Sequence, residues 1–281
     1  MMTAMTAEAT SFLLPQVLRD KPIPEKIVVA GDWHGNNLWA YETIRKASEV
    51  LKDEPYPLIL HLGDFGIWPG KGGEKYRRKI SAALMKHDAV LFFIDGNHEN
   101  FRHLENRARR YTVPDLGSNI WDGSVQIREN LFHLPRGKRW EWHNRKWLAC
   151  GGAVSVDKQW RVLNKSWWTQ ETITPEQAEF IKAGGKCDVM ITHDCPSMVF
   201  LDLPVGMFPH KETQEADAHR NLLQGIVNEV QPEYLMHGHM HRQYTRVLST
   251  NWAKVRVDGL DMDGTPGNWF VLNTKTMEWV V

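Results

Sequence analysis

The 281-residue chain lacks most features that would take it out of the ordinary globular class. Its three cysteines, Cys150, Cys187 and Cys195, are too few and too scattered for a disulfide framework or a zinc knuckle. Such usage predicts buried thiols in a reducing, cytoplasmic setting. Nowhere do 18 apolar residues run together, so no segment reads as a membrane-spanning helix. The opening MMTAMTAEATSFLLPQVLRD has no basic stretch followed by an apolar one, the pattern of a secretory signal. Net charge is also missing: 34 basic residues balance 34 acidic ones. No global field therefore draws the chain to nucleic acid or anionic lipid. A local basic groove over Lys158, Arg161 and Lys165 leaves a longer strand open as a partner, and oligomeric state is left open too. There is no internal repeat and no low-complexity tract.

What the chain does have is an ordinary core composition, 42% hydrophobic and 24% charged, and a length that suits one large domain. Residues 1–24, broken by Pro15, Pro22 and Pro24, read as a flexible arm, and 25–281 as a single domain. KIVVAGD (26–32), PLILHLGD (57–64) and AVLFFIDGNHE (89–99) are strand-like runs. Helical spacing of Leu38, Ala40, Ile44, Ala47 and Leu51, and of Tyr76, Ile80, Leu84 and Met85, separates them. That alternation implies a parallel sheet with crossover helices. Short strands follow over 119–150, then a polar loop at 154–170 rich in tryptophan, arginine and lysine. Thr174-Pro175-Glu176-Gln177 reads as a capping box that starts a helix. CDVMITHD (187–194) and EYLMHGHMH (233–241) are further strands, the second preceded by a helix at 215–229. The connection 195–214 is long enough to be a candidate lid. Residues 244–281 read as antiparallel strands with a DGTPG turn. The expected fold is α/β: two packed mixed sheets flanked by helices, in four layers α/β/β/α.

Five of these segments end in residues that bind metals: GDWHG (31–35), GD (63–64), GNHE (96–99), TH (192–193) and GHMH (238–241). Together they supply Asp32, His34, Asp64, Asn97, His98, His193, His239 and His241. Each motif alone occurs by chance; all five in order, each after a strand, are hard to obtain from packing needs. Oxygen and imidazole donors in that number suit two divalent ions such as manganese, iron or zinc. In open α/β sheets ligands collect beyond the carboxyl ends of the strands, where all five motifs fall. The D-x-H and H-x-H spacings put both side chains of each pair on one face of an extended segment.

With D-x-H, G-D, G-N-H-[ED], H and G-H-x-H all present, the chain resembles the calcineurin-like metallophosphoesterases over about residues 26–245. The resemblance implies a binuclear centre with manganese as the first expectation. Asp32, His34 and His241 would hold one ion, Asn97, His193 and His239 the other, and Asp64 both. It implies hydrolysis by a hydroxide shared between the ions, with His98 facing the leaving oxygen and Glu99 orienting a neighbour. Trp33 between two ligands packs beneath or beside the site; with Arg161 and Trp168 of the polar loop it is a candidate substrate contact. Trp160 could likewise stack on a base. Thirteen tryptophans make an aromatic-lined pocket an expectation. His61 is given no role, and His237 either a hydrogen bond within the site or a buried structural role. Where protein phosphatases of the superfamily carry G-D-x-x-D-R-G, this chain reads GDFGIWPG, which argues against that branch. It leaves open what orients His98. The expected activity is hydrolysis of small phosphodiesters, 2′,3′-cyclic nucleotides ahead of 3′,5′. A phosphomonoesterase and a non-catalytic scaffold of the same fold are the alternatives.

Overall fold

The computed structural model describes residues 20–115, 117–202, 206 and 208–280. Most of the arm expected over 1–24 lies outside the described residues. Of its end, Lys21 donates to the Pro55 carbonyl and Ile23 packs on the core.

Strands β1 (Lys26–Ala30), β2 (Leu58–His61) and β3 (Val90–Phe93) pair in parallel. Between them in sequence come helices α1 (Asn37–Val50) and α2 (Gly70–Lys86). A third helix, α3 (Phe101–Tyr111), follows β3; only Phe101 and Leu104 in it are buried. Phe101, Leu104, Ala108 and Tyr111 recur along it at helical spacing, a pattern that sequence reading missed. Next are β4 (Val125–Arg128), β5 (Leu131–His133), β6 (Arg139–Trp142) and β7 (Arg145–Cys150). Helix α4 (Pro175–Ala183) begins with the expected reciprocal cap of Thr174 and Gln177, a device contributing about 1 kcal/mol. After β8 (Val189–Thr192) comes α5 (His210–Val230), which starts earlier than expected and shortens the connection after Cys195. Residues 203–205 and 207 of that connection lie outside the described set. The chain ends with β9 (Tyr234–His237), β10 (Tyr244–Ser249), β11 (Lys254–Gly259), β12 (Trp269–Asn273) and β13 (Glu278–Trp279).

The strands form two mixed sheets, β13-β12-β1-β2-β3-β5-β4 and β10-β11-β9-β8-β7-β6. Alternation along each strand decides which layer a side chain joins. Ile27, Val29, Leu58, Leu60, Val90 and Phe92 meet Trp147, Ala149, Val189, Ile191 and Met236 between the sheets. Val28, Ala30, Ile59, Leu91 and Phe93 point the other way, under α1, α2 and α3. Leu148, Met190 and Leu235 lie under α4 and α5. The four layers follow. The C-terminal strands are antiparallel in pairs as expected, β10 with β11 completing one sheet and β12 with β13 the other, and β11 also pairs in parallel with β9. Many of the tryptophans fill the interior: Trp140, Trp142 and Trp147 form one buried cluster with ring centroids 5.2–5.7 Å apart. Each such ring buries a large apolar area.

Candidate metal centre

Both sheets aim the carboxyl ends of their parallel strands at one place. The loops after β1, β2 and β3 come from one sheet, those after β8 and β9 from the other. Several residues there stand in backbone conformations that L side chains avoid: φ is +44° at His34, +50° at Asp64, +63° at His239 and +47° at His241. Such residues cost of order 1–3 kcal/mol each and persist where the surroundings over-determine them. The neighbouring glycines have a steric reason. A Cβ on Gly96 would lie 2.1 Å from Asp64 Oδ1, and one on Gly238 2.2 Å from Asp32 Oδ1. The motif glycine on one loop thus makes room for a carboxylate on another.

Two groups of donors result. Asp32, His34 and His241 have donor atoms within 4.8 Å of one another, as do Asp64, His193 and His239. Asn97 joins the second group, its Oδ1 3.1 Å from His193 Nε2. The Asp64 carboxylate stands between the groups, with Oδ2 3.6 Å from His34 Nε2 and Oδ1 3.4 Å from His193 Nε2.

The hydrogen bonds behind these atoms test whether cations fit. His193 Nδ1 donates to the Leu62 carbonyl at 2.7 Å. Its Nε2 lone pair then faces Asp64 and Asn97 oxygens, an arrangement of acceptors that calls for positive charge between them. His34 Nδ1 likewise donates to Asp263 Oδ1 at 3.0 Å and turns Nε2 inward. The electrostatics agree. Burial opposes protonation of His193, yet the Asp64 and Asp32 carboxylates raise it to about 10. Burial also opposes it at His34, where the same two carboxylates raise it to about 9. Both aspartates are held below their ordinary range despite burial, Asp32 by His193 and His241, Asp64 by His193 and His98. The site demands cations, and its oxygen and nitrogen set suits divalent ions. Bound ions would supply Lewis acidity and an activated water.

His98 follows Asn97, and its backbone N–H donates to Asp64 Oδ1 at 2.7 Å. Its Nε2 lies 3.9 Å from Asp64 Oδ2 and 3.3 Å from Arg161 Nη2. Burial lowers its basicity, the Arg161 charge adds to that, and Asp64 opposes both. Arg161 is itself paired with Asp157 at 2.6 Å. A loop far away in sequence therefore brings a guanidinium to His98. The second-motif loop has its own support: buried Glu99 accepts the N–H groups of Phe65, Gly66 and Ile67.

Two expected substrate contacts do not have the surface for it. Trp33 is 0% exposed; it packs beneath the site with Nε1 on Asn268 Oδ1. Trp168 is 4% exposed and belongs to the core under the first sheet. Indoles at these positions stay in the apolar layers because burying them outweighs any loop exposure. Trp160, by contrast, is exposed. His61 is fully buried against Trp33 and Phe65. His237 is buried on Tyr244.

Sequence reading missed the supports. Asp263, in the DGTPG turn, holds His34 and Asn36. Ser155 accepts from Asn97 Nδ2 at 3.1 Å and donates to Glu171 at 2.7 Å, which turns Asn97 Oδ1 toward His193. Asp194, next to His193, pairs with His219 at 2.7 Å. Of these only Asp194, one residue beyond a motif, carried a local signal.

With this geometry in view, comparison with known proteins decides the family. The profile of the calcineurin-like phosphoesterases matches residues 25–243. The chain belongs to that family. A solved structure similar in part is NAD nucleotidase (NadN) of Haemophilus influenzae, at 14% identity and a TM-score of 0.43. That match covers 92% of this phosphoesterase and 49% of the nucleotidase, about half its length. No curated protein matches the chain in sequence. Among the described residues no helix is long and apolar enough to cross a membrane.

Proposed function

We propose that this phosphoesterase is a binuclear phosphodiesterase, with manganese as the working metal, acting on small phosphodiesters and on 2′,3′-cyclic nucleotides first. Asp32, His34 and His241 would hold one ion, Asn97, His193 and His239 the other, with Asp64 available to both. His98 assists the leaving oxygen, a contribution of roughly 10²–10⁴-fold for a positioned acid. The observation that carries the reading is the meeting of the two donor groups across the single buried Asp64.

Support for a diester comes from the charge beside His98. Arg161, the guanidinium there, is already neutralised by Asp157. That leaves less positive charge for a dianionic monoester and suits a monoanionic diester. The three cysteines are free and buried, in keeping with a reducing, cytoplasmic setting.

The test is manganese-dependent hydrolysis of an aryl phosphodiester beside the matching monoester, with wild type and His98→Ala. A diester rate that exceeds the monoester rate and falls at least about 10²-fold in the variant is expected. A dominant monoester rate would overturn the substrate class, and no hydrolysis of either would overturn the activity.

A further inference from the structure

A cavity of about 510 Å³ opens directly onto the metal centre, lined by Asp64, Asn97, His98, His239 and His241 on that side. Its far wall is built by the start of α5 and the segments around it. Phe208, which is 36% exposed, and Met240 give it apolar faces. The polar groups of this wall sort by what already occupies them. Asp157 is bound to Arg161 and Asp194 to His219. Arg220 is spent on the Cys195 and Val199 carbonyls. The Thr213 hydroxyl donates to the Pro209 carbonyl, so its oxygen remains an acceptor. Asp217 stays exposed, and its nearest guanidinium nitrogen, on Arg220, is 4.0 Å away. Arg242 lines the cavity and is exposed.

Among the described residues of this lining, one exposed cation, Arg242, and one exposed carboxylate, Asp217, stand outside close ion pairs, so it does not fit a second phosphate or a polyphosphate chain. It fits a flat, uncharged group with hydrogen-bond donors, attached to the phosphate that reacts at the metals. The size is that of an ordinary small-molecule pocket. Aromatic and guanidinium faces grip bases by stacking, whatever the base. A carboxylate accepts from an exocyclic amino group or a ribose hydroxyl. We propose that the cavity is a nucleoside subsite, with Phe208 as the stacking face, Asp217 and Thr213 as acceptors for amino or hydroxyl donors, and Arg242 as a second planar contact. It deepens the phosphodiesterase reading, on which it rests, by naming a nucleoside as the part of the diester that is recognised.

The test compares adenosine 2′,3′-cyclic phosphate with ethylene phosphate, a cyclic diester that has no nucleoside, using manganese-loaded protein and phosphorus NMR. The expected result is a kcat/KM for the nucleotide at least about 100-fold above that for ethylene phosphate. In Phe208→Ala, or the milder Phe208→Leu, the ratio falls about tenfold or more, the range stacking supplies. Phe180→Ala, on the exposed side of α4, keeps the wild-type ratio. A ratio near one in wild type, or one unmoved by both Phe208 variants, overturns the subsite while leaving the phosphodiesterase intact. If wild type hydrolyses neither diester, the phosphodiesterase reading fails and calorimetry judges the subsite alone. Adenosine 3′-monophosphate binding at least tenfold tighter than inorganic phosphate upholds it, and equal affinities overturn it.

Discussion

The two halves of the metal centre are made from the same kinds of residue but set at different depths. Around His193 the site is enclosed except at half-buried His239: the ring is 0% exposed, its Nδ1 is fixed by Leu62, and Asn97 beside it is turned by Ser155 and Glu171. Around His241 the site meets solvent; that side chain is 40% exposed and His34 is 24% exposed. In the outer half His241 meets buried Asp32, while His34 is held from behind by one carboxylate of a surface turn, Asp263. Enclosure strengthens electrostatic interactions and fixes geometry, while exposure allows exchange. The difference teaches that the inner group is built into the fold, whereas the outer one is assembled on its edge. The inner ion should be retained and the outer one should exchange.

The strongest way to break this comparison is to remove one ligand from each half. His193→Ala should leave at most one ion per chain and lower kcat/KM by more than the 10–100-fold typical of losing a supporting contact. It should also destabilise the fold by about 1–3 kcal/mol, because the buried Leu62 carbonyl loses its donor. His241→Ala should keep the inner ion and change stability by no more than about 0.5 kcal/mol. Metal analysis after gel filtration, with thermal unfolding, checks both. Equal metal loss in the two variants would remove the distinction.

A smaller effect is expected at Asp263. Asp263→Asn should weaken the outer ion by about 10–100-fold with little effect on the inner one, as loss of an outer carboxylate does elsewhere. A manganese titration of the variant that shows both ions weakened alike would sink it.

The smallest effect sharpens the inner half through pH. Burial raises the Glu171 carboxyl from its model-compound value of 4.5 to about 7, against the bonds from Ser155. The folded state thus binds this proton more tightly than the unfolded one. Its stabilising contribution is complete below about pH 4.5 and declines as pH rises toward 7. Glu171→Gln should flatten the fall in stability across that window, read as denaturation midpoints at pH 4.5, 6 and 7.5. Parallel curves for variant and wild type would place the proton elsewhere.

How much of this was legible in the sequence follows the same division between local and distant. The donors stood out because each ends a strand-like run beside a glycine, a pattern confined to a few consecutive residues. The layers were legible from the order of strand-like runs and helical spacings, whereas the continuous apolar runs of β1 and β2 hid that Ile27, Val29 and Leu60 face one layer and Val28, Ala30 and Ile59 the other. The supports were not: Asp263 reaches His34 across 229 positions and Ser155 reaches Asn97 across 58. Nothing in a DGTPG turn marks its aspartate as different from that of any other turn. Trp168 misled because a polar loop suggests an exposed ring, while its actual neighbours come from the core under the first sheet. Helix α3 was legible and was passed over: Asn100 caps it, and Phe101, Leu104, Ala108 and Tyr111 stand at helical spacing.

The most direct test of the central claim is a manganese titration of the purified chain followed by electron paramagnetic resonance. Two ions sharing Asp64 predict a stoichiometry of two per chain, the inner site filling first. At full loading they predict an exchange-coupled spectrum that is lost in Asp64→Asn. A single ion at saturation, or two ions with no magnetic coupling, would contradict the account.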